Sequence, residues 1–148
     1  MEVFFMEQTY IMLKPDALQR GLVGEILRRI EQKGYRIAAA KTMTLNEALL
    51  RVHYAHLTTR SFFPSLVEYM TSGPVLALIV QGENAVAGMR AIIGPTKFEQ
   101  AAGGTIRGDF ANSTTRNLIH GSDSPEAARE EIQRFFGELP RIFSGNNA

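Results

Sequence analysis

His120 is the first candidate for a residue that does chemistry, because of the residues on either side of it. It follows the short apolar stretch Asn117–Ile119 and precedes Gly121-Ser122-Asp123. Small and polar residues after a strand allow a ligand to approach the backbone closely. A neutral imidazole is also a good nucleophile near pH 7. The local sequence therefore favours a functional role for His120.

A carboxylate lies on the apolar face of the last predicted helix. Ser124-Pro125 places a capping hydroxyl before a proline, which is typical of a helix start, and the helix is predicted to run through Phe136. Glu131 falls on the apolar face of this helix, so we expect it to point inward, where a carboxylate needs a partner. Two interpretations stay open: Glu131 forms a structural ion pair with an arginine, or it binds and orients the His120 imidazole.

Basic residues cluster in and beside residues 96–116, a segment with glycines and no clean hydrophobic period. Taken singly, each is most often a solvated surface charge. Together, arginines around such a loop can clamp phosphates through forked, charge-assisted hydrogen bonds. Lys14, at the end of a predicted strand, would add a point charge. The cluster consists of Arg90, Lys97, Arg107 and Arg116, with Thr96 and Thr105 nearby.

Other kinds of site are disfavoured. His53 and His56 have a spacing compatible with metal binding, but no third ligand is evident, so ordinary, partly exposed helix positions are the preferred interpretation. The chain has no cysteine, which excludes disulfides, thiolate metal sites and thiol nucleophiles. It also has no Gly-Lys dipeptide and no Gly-x-Gly, so Walker A and dinucleotide-binding loops are absent.

Length and composition indicate one globular domain spanning residues 1–148. The chain is 45% hydrophobic and 21% charged, as expected of a soluble domain. Its net charge of +1 argues against obligate binding of nucleic acid or an anionic membrane through bulk charge. The longest apolar run, Val75–Val80, is far shorter than the roughly 20 residues that cross a bilayer. We expect a cytoplasmic protein without membrane association.

The predicted elements alternate between strands and helices. The pattern predicts strands at Thr9–Leu13, Tyr35–Met43, Val75–Val80 and Asn117–Ile119. Thr44–Glu47 is a capping-box pattern that predicts a helix start, with the helix ending near His56. Four strands in this order favour a ferredoxin-like βαββαβ α+β fold, with an antiparallel sheet and helices on one face. A doubly wound parallel sheet is the alternative.

Several longer motifs together resemble the nucleoside diphosphate kinase family. Asn117–Asp123 is similar to the family signature, which has the nucleophilic histidine at its centre. The similarity runs from about Glu7 to Phe136, nearly the whole chain, with the motifs in the family's order. The other matching segments are Lys14–Asp16, Gln19–Glu25, His53-Tyr54, Phe62-Phe63, Ser72–Pro74 and Gly104–Phe110.

The resemblance implies both an activity and residue roles. The family transfers the γ-phosphate of a nucleoside triphosphate, typically ATP, to a nucleoside diphosphate through a phosphohistidine, here on His120. Mg²⁺ is expected as a cofactor bound through the nucleotide phosphates, with no dedicated protein ligands. Further roles carried over are orientation of His120 by Glu131 and Ser122, phosphate binding by Arg90, Thr96 and Arg107 with help from Tyr54, contacts of Lys14 and Asn117 with the sugar, and base stacking on Phe62.

The chain departs from the family pattern at three places. Ser61 and Gly103 stand where the family commonly has proline, and Lys97-Phe98 replaces Asn or Asp followed by proline. The loop that contains two of these departures also packs between subunits in the family. The resemblance therefore implies a homo-oligomer, and the sequence leaves open whether it is a hexamer or a tetramer.

Two other function classes are alternatives to the kinase. Ferredoxin-like sheets also bind single-stranded RNA through exposed aromatic residues on central strands, but Thr9–Leu13 and Val75–Val80 offer only Tyr10 and the charge is nearly neutral. An inactive relative of the kinases is the second alternative. All the catalytic positions of the family are filled in this chain, which argues against it.

Overall fold

The sheet has four strands in the order β2-β3-β1-β4, with every neighbouring pair antiparallel. The computed structural model describes residues 6–137. The predicted ferredoxin-like arrangement is confirmed, and the alternative of a parallel sheet is wrong. The strands are β1 (Met6–Leu13), β2 (Arg36–Met43), β3 (Val75–Glu83) and β4 (Ile119–Gly121).

The helices connect these strands, and some of their starts and ends differ from those predicted from the sequence. Asn46, rather than Thr44, caps α3, because the Asn46 side chain accepts a hydrogen bond from the Leu49 N–H. The predicted start of the last helix is confirmed by Ser124, which accepts from Ala127 N–H. The helices are α1 (Pro15–Gln19), α2 (Val23–Gln32), α3 (Glu47–His53), α4 (Phe63–Met70), α5 (Ala85–Ile93), α6 (Ile106–Phe110) and α7 (Pro125–Phe136).

Helices cover both faces of the sheet, whereas the sequence-based prediction placed them on one. Alternate side chains of β1 belong to two separate apolar clusters: Tyr10 and Met12 pack with α3, α4 and α7, and Ile11 and Leu13 pack with α2, α5 and α6. The continuous apolar run of β3, buried on both sides, has the same cause. Tyr10 is fully buried, so the sheet does not offer the exposed aromatic residue that RNA binding requires.

The segment from residue 96 to 116 is more ordered than its sequence suggests. It contains a 3-10 turn at Phe98–Gln100 and the short helix α6, which the Thr105 hydroxyl caps by accepting from Gly108 N–H. Arg29 of α2 fixes this segment through a 2.7 Å ion pair with Asp109. The turn and α6 are too short to produce a readable hydrophobic period. The same limitation explains why α1 was not predicted.

Candidate active site

The site is a cavity of about 360 Å³ at the end of the sheet where β1 and β4 lie side by side. Met12 of β1 pairs with His120 of β4, so this pairing fixes the His120 backbone. Gly121 packs closely beside it, since an added Cβ would lie 2.7 Å from Ile93 Cδ1 and the end of that side chain would have to move. The cavity brings together most of the predicted site residues, namely Lys14, Tyr54, Arg90, Thr96, Arg107, Asn117, His120 and Glu131.

His120 is held by a carboxylate and a hydroxyl. Its Nε2 lies 2.6 Å from Glu131 Oε1, and Ser122 Oγ donates to the same oxygen at 2.8 Å. Burial raises the pKa of Glu131, but the hydrogen bonds from His120 and Ser122 outweigh burial and leave its pKa below the ordinary value. Because the carboxylate is ionised and can only accept, Nε2 carries the imidazole proton. The second nitrogen, Nδ1, therefore keeps its lone pair.

Of the two interpretations of Glu131, the structure supports the contact with His120. Among residues 6–137, no arginine forms an ion pair with Glu131. The Glu131 side chain is 12% exposed and the His120 side chain 21% exposed, so the pair lies in the wall of the cavity and not in the core. The helical face predicted from the sequence brought this carboxylate to the imidazole.

Lys14 is a buried cation at the end of β1. Its Nζ donates to Asn117 Oδ1 at 2.7 Å, and the Asn117 amide in turn donates to the carbonyl of Thr114. Burial, together with the charge of Arg107, lowers the pKa of Lys14 from 10.5 to about 7. Part of the unliganded population is therefore neutral at physiological pH, and a polyanion in the cavity would favour the charged form.

Arg107 is the most extensively bonded cation of the site. Its guanidinium donates to the carbonyls of Ile119 at 2.6 Å, Gly94 at 3.0 Å and Asn117 at 3.4 Å. These bonds join the end of α5 to the start of β4. Burial, together with the charge of Arg90, lowers the Arg107 pKa to about 10, so it remains a cation at neutral pH.

The turn before His120 has an unusual backbone. Leu118 adopts a φ of +77°, which is rare for a residue with a side chain and costs free energy. Three contacts hold the turn: Ile119 N–H donates to the Asn117 carbonyl at 2.9 Å, Lys14 N–H donates to the Leu118 carbonyl at 2.8 Å, and Arg107 binds the Ile119 carbonyl. The positive φ sets the directions of Asn117 and His120 relative to each other. Sequence alone gives no signal for such a conformation at leucine.

Two aromatic residues with predicted roles, Tyr54 and Phe62, differ in their relation to the cavity. The hydroxyl of Tyr54 is buried and has no hydrogen-bond partner among the residues that the structure describes, and burial raises its pKa. The Tyr54 hydroxyl is therefore neutral and can donate a hydrogen bond, and Tyr54 lines the cavity. Phe62 is 46% exposed and is not among the residues that line the cavity. An exposed aromatic ring beside a polar cavity remains available for stacking.

Some residues fall elsewhere than expected. Lys97 and Arg116 do not line the cavity, and the Arg116 guanidinium lies over the Tyr69 ring. His53, predicted to be partly exposed, is buried and lines the cavity together with His56. The two histidines do not share a helix face, because α3 ends at His53.

Neither a metal-binding cluster nor a membrane-spanning helix occurs within residues 6–137. No group of three or more His, Asp or Glu side chains in that range is arranged to hold a metal ion. Within the same range, no helix is long and apolar enough to cross a membrane. The cavity does contain one further carboxylate that the sequence analysis had not assigned, that of Asp123.

Taken together, the cavity combines an oriented imidazole with three cations, Lys14, Arg90 and Arg107. Such a site suits a ligand with several negative charges and a reaction in which a group is transferred to nitrogen. Phosphoryl transfer needs mainly positioning and neutralisation of charge, which is what these residues can supply.

Comparison with known proteins agrees with this chemistry. The nucleoside diphosphate kinase family matches residues 7–140. A nucleoside diphosphate kinase from Caldanaerobacter subterraneus is 54% identical, with 93% of this chain and 99% of the relative covered. The crystal structure of the Encephalitozoon cuniculi enzyme superimposes with a TM-score of 0.89 at 44% identity, covering 95% of this chain and 97% of the other. The structure of a Halobacterium salinarum nucleoside diphosphate kinase in complex with CDP superimposes with a TM-score of 0.89 at 40% identity. The match covers 96% of this chain and 97% of the other.

Fold and relatives thus define a phosphotransferase built on a ferredoxin-like α+β domain. More specifically, the chain belongs to the nucleoside diphosphate kinase family.

Proposed function

We propose that His120 is the residue of this kinase that carries the phosphoryl group between a nucleoside triphosphate, typically ATP, and a nucleoside diphosphate. The observation that supports this is the contact between His120 Nε2 and Glu131, which leaves the Nδ1 lone pair for attack in a cationic cavity. Initial-rate measurements test it: a covalent intermediate gives parallel double-reciprocal lines for varied donor at several acceptor concentrations. Intersecting lines would require both nucleotides to bind at once and would contradict the proposal.

The proposed reaction has two symmetric halves. Nδ1 of His120 attacks the γ-phosphorus, a P–N bond forms, and the bond from that phosphorus to the oxygen bridging it to the β-phosphate breaks. The electron pair of the broken bond stays on the departing diphosphate. A second diphosphate then binds in the same cavity, and its terminal oxygen takes the phosphoryl group from nitrogen. Glu131 stabilises the imidazole proton and the positive charge that grows on the ring during attack.

The remaining cavity residues are proposed to bind the nucleotide. Arg90, Thr96 and Arg107 would contact the phosphates with help from the Tyr54 hydroxyl. Lys14 and Asn117 would contact the sugar hydroxyls, and Lys14 would also meet charge that develops during transfer. Phe62 would stack on the base, and stacking tolerates any base because every base has a π-face.

Mg²⁺ is proposed as a cofactor held mainly by the nucleotide. Mg²⁺ binds in proteins through one or two carboxylates together with substrate phosphates, and the single additional carboxylate of Asp123 in the cavity fits that pattern. When bound, Mg²⁺ would neutralise part of the negative charge of the nucleotide phosphates.

Assembly and location are also proposals. We propose that the chain acts as one catalytic domain in a cytoplasmic homo-oligomer, a hexamer or a tetramer, without an obligate nucleic-acid or membrane partner. The departures at Ser61, Lys97-Phe98 and Gly103 make the subunit number the open point. Mass measurement of the native particle distinguishes six subunits from four, and a monomer would contradict both.

Glu131→Gln is expected to lower kcat by roughly 10²-fold while KM stays nearly constant, because an amide no longer stabilises the imidazolium or fixes its tautomer. Steady-state kinetics at saturating donor measure the effect. Glu130→Gln is the matched control, since Glu130 is the neighbouring, exposed carboxylate of α7 and its loss should leave kcat unchanged. An increase in KM with unchanged kcat would show that Glu131 acts in substrate binding and not on His120.

Nucleotide binding is expected to take up protons above pH 7. With a pKa of about 7, Lys14 is largely neutral at pH 8 in the unliganded protein, and a bound polyphosphate raises that pKa, so Lys14 gains a proton on binding. The uptake should approach zero near pH 5.5, where Lys14 is already charged. Titration calorimetry in two buffers of different ionisation enthalpy measures it. A Lys14→Met variant with the same uptake at pH 8 would assign the proton to another group.

A further inference from the structure

His53 lies beside His120 and belongs to a network that the proposed reaction does not use. The two ring centroids are 4.9 Å apart at an interplanar angle of 76°, an edge-to-face contact. His53 also contacts the rings of Tyr54 at 4.7 Å and Phe135 at 5.1 Å. With 8% of its surface exposed, the side chain is fixed by packing on most sides.

Arg134 binds His53 from the helix that also carries Glu131. Its Nη1 lies 3.0 Å from Nδ1 of His53. Arg134 and Glu131 are three residues apart on α7, and residues at that spacing share a helix face. One turn of α7 therefore contacts both imidazoles, with a carboxylate on His120 and a guanidinium on His53.

The chemistry of the contact fixes the state of His53. A guanidinium has only donors and does not lose its proton in proteins. His53 Nδ1 must therefore accept the hydrogen bond, which excludes a proton on that nitrogen. The ring is then neutral, with its single proton on Nε2. Within residues 6–137 that Nε2 is buried and has no hydrogen-bond partner.

We propose that Arg134 and His53 form a positioning pair for His120, in which the guanidinium holds His53 neutral in one tautomer so that its ring supports the His120 ring through their edge-to-face contact. This inference rests on the proposed function, because it assigns His53 and Arg134 to the positioning of the same nucleophile. A neutral, fixed ring limits rotation of His120 away from the attack direction. It also keeps a second positive charge away from the imidazole that must act as a nucleophile.

The electrostatic surroundings of His53 agree with a neutral ring. Burial is the main cause that lowers the pKa of His53 to about 3, and nearby positive charges add to it, whereas Glu131 acts in the opposite sense. The titratable or charged groups around His53 are Tyr10 on β1, Lys14 directly after β1, Tyr54 after α3, His120 on β4, and Glu131 and Arg134 on α7.

Arg134→Leu is expected to release the tautomer and to move the acid limb of the kinase pH–rate profile upward. Without the guanidinium, Nδ1 of His53 is free to carry a proton. The loss of this positive charge also raises the pKa of the histidines near it, so they bind a proton at higher pH. We expect a shift of about half a pH unit and a fall in kcat of roughly tenfold, with KM changed less than about twofold. Arg134→Lys keeps a cationic donor, so its pH profile and its kcat should both lie close to those of the unaltered protein.

Nitrogen-15 NMR of the histidine rings reads the tautomer directly. In the unaltered protein His53 should carry its proton on Nε2 between pH 6 and 8, and in Arg134→Leu the two tautomers should mix. Arg129→Leu is the matched control, because it removes one exposed arginine from the same helix and should change neither the NMR signal nor the pH profile.

Two results would overturn the inference. One is a proton on Nδ1 of His53 in the unaltered protein, a measurement that needs no variant to fold. The other is an Arg134→Leu protein with an unchanged tautomer and pH profile. Phosphorylation of His120 by labelled ATP is measured on the same samples. A protein that labels at His120 yet shows either result refutes this inference alone, and an unaltered protein that does not label refutes the proposed function.

Discussion

A His120→Asn variant should lose nucleoside diphosphate kinase activity by at least about 10⁴-fold in kcat, the scale seen when an enzyme's nucleophile is removed. Asparagine preserves a planar polar group but has no nitrogen lone pair that can attack phosphorus. Nucleotide binding should change little, because the cations of the cavity remain. The measurement combines steady-state kinetics with calorimetric titration of a nucleoside diphosphate.

His56→Asn is the control for this prediction. His56 also lines the cavity but is exposed, and no role in the reaction is assigned to it. We expect the kcat of His56→Asn to stay within about threefold of that of the unaltered protein, in line with the small effects of most surface substitutions. If His56→Asn lost activity and His120→Asn kept it, the nucleophile would be misassigned.

Arg107→Met should produce the second large effect, on both stability and activity. The substitution removes the guanidinium donor from the carbonyls of Gly94, Asn117 and Ile119, of which Asn117 still accepts from Ile119 N–H, at a cost on the order of 2–4 kcal/mol in the free energy of unfolding. The loss of a preorganised cation should lower kcat/KM by about 10²- to 10³-fold. Chemical denaturation and steady-state kinetics measure the two quantities separately.

Arg107→Lys separates the two contributions. A lysine keeps the positive charge but cannot reproduce the fork that reaches all three carbonyls. It should therefore recover part of the lost kcat/KM and little of the lost stability. A variant that recovers stability fully but no activity would show that Arg107 acts through the backbone turn and not through phosphate charge. Arg107→Met with unaltered stability would contradict the role of the three carbonyl contacts.

Periodic features of the sequence were enough to predict the framework. Apolar residues recur at helical spacing over Leu22–Ile30 and indicate α2, and the continuous apolar run Val75–Val80 predicted β3, which is buried on both sides. The position of Glu131 on an otherwise apolar helix face predicted that its carboxylate points inward, and the structure selects the contact with His120 from the two interpretations that the sequence left open. Both inferences depend only on spacing within one element.

Features that depend on contacts between distant elements were not predictable in this way. Coverage of the second sheet face, the positive φ of Leu118 and the three carbonyl contacts of Arg107 arise from packing. The burial of His53 follows from its position under α7, which no local pattern encodes. The motif similarity named several of these residues without explaining what holds them.

The most direct test of the central claim is isolation of the phosphorylated protein. We expect that incubation with γ-labelled ATP, followed by removal of nucleotide, leaves acid-labile and base-stable label on His120, attached to Nδ1. Addition of any nucleoside diphosphate, without ATP, should then transfer the label completely to form the triphosphate. Label on another residue, or rapid phosphate exchange with no label retained on the protein, would contradict the account.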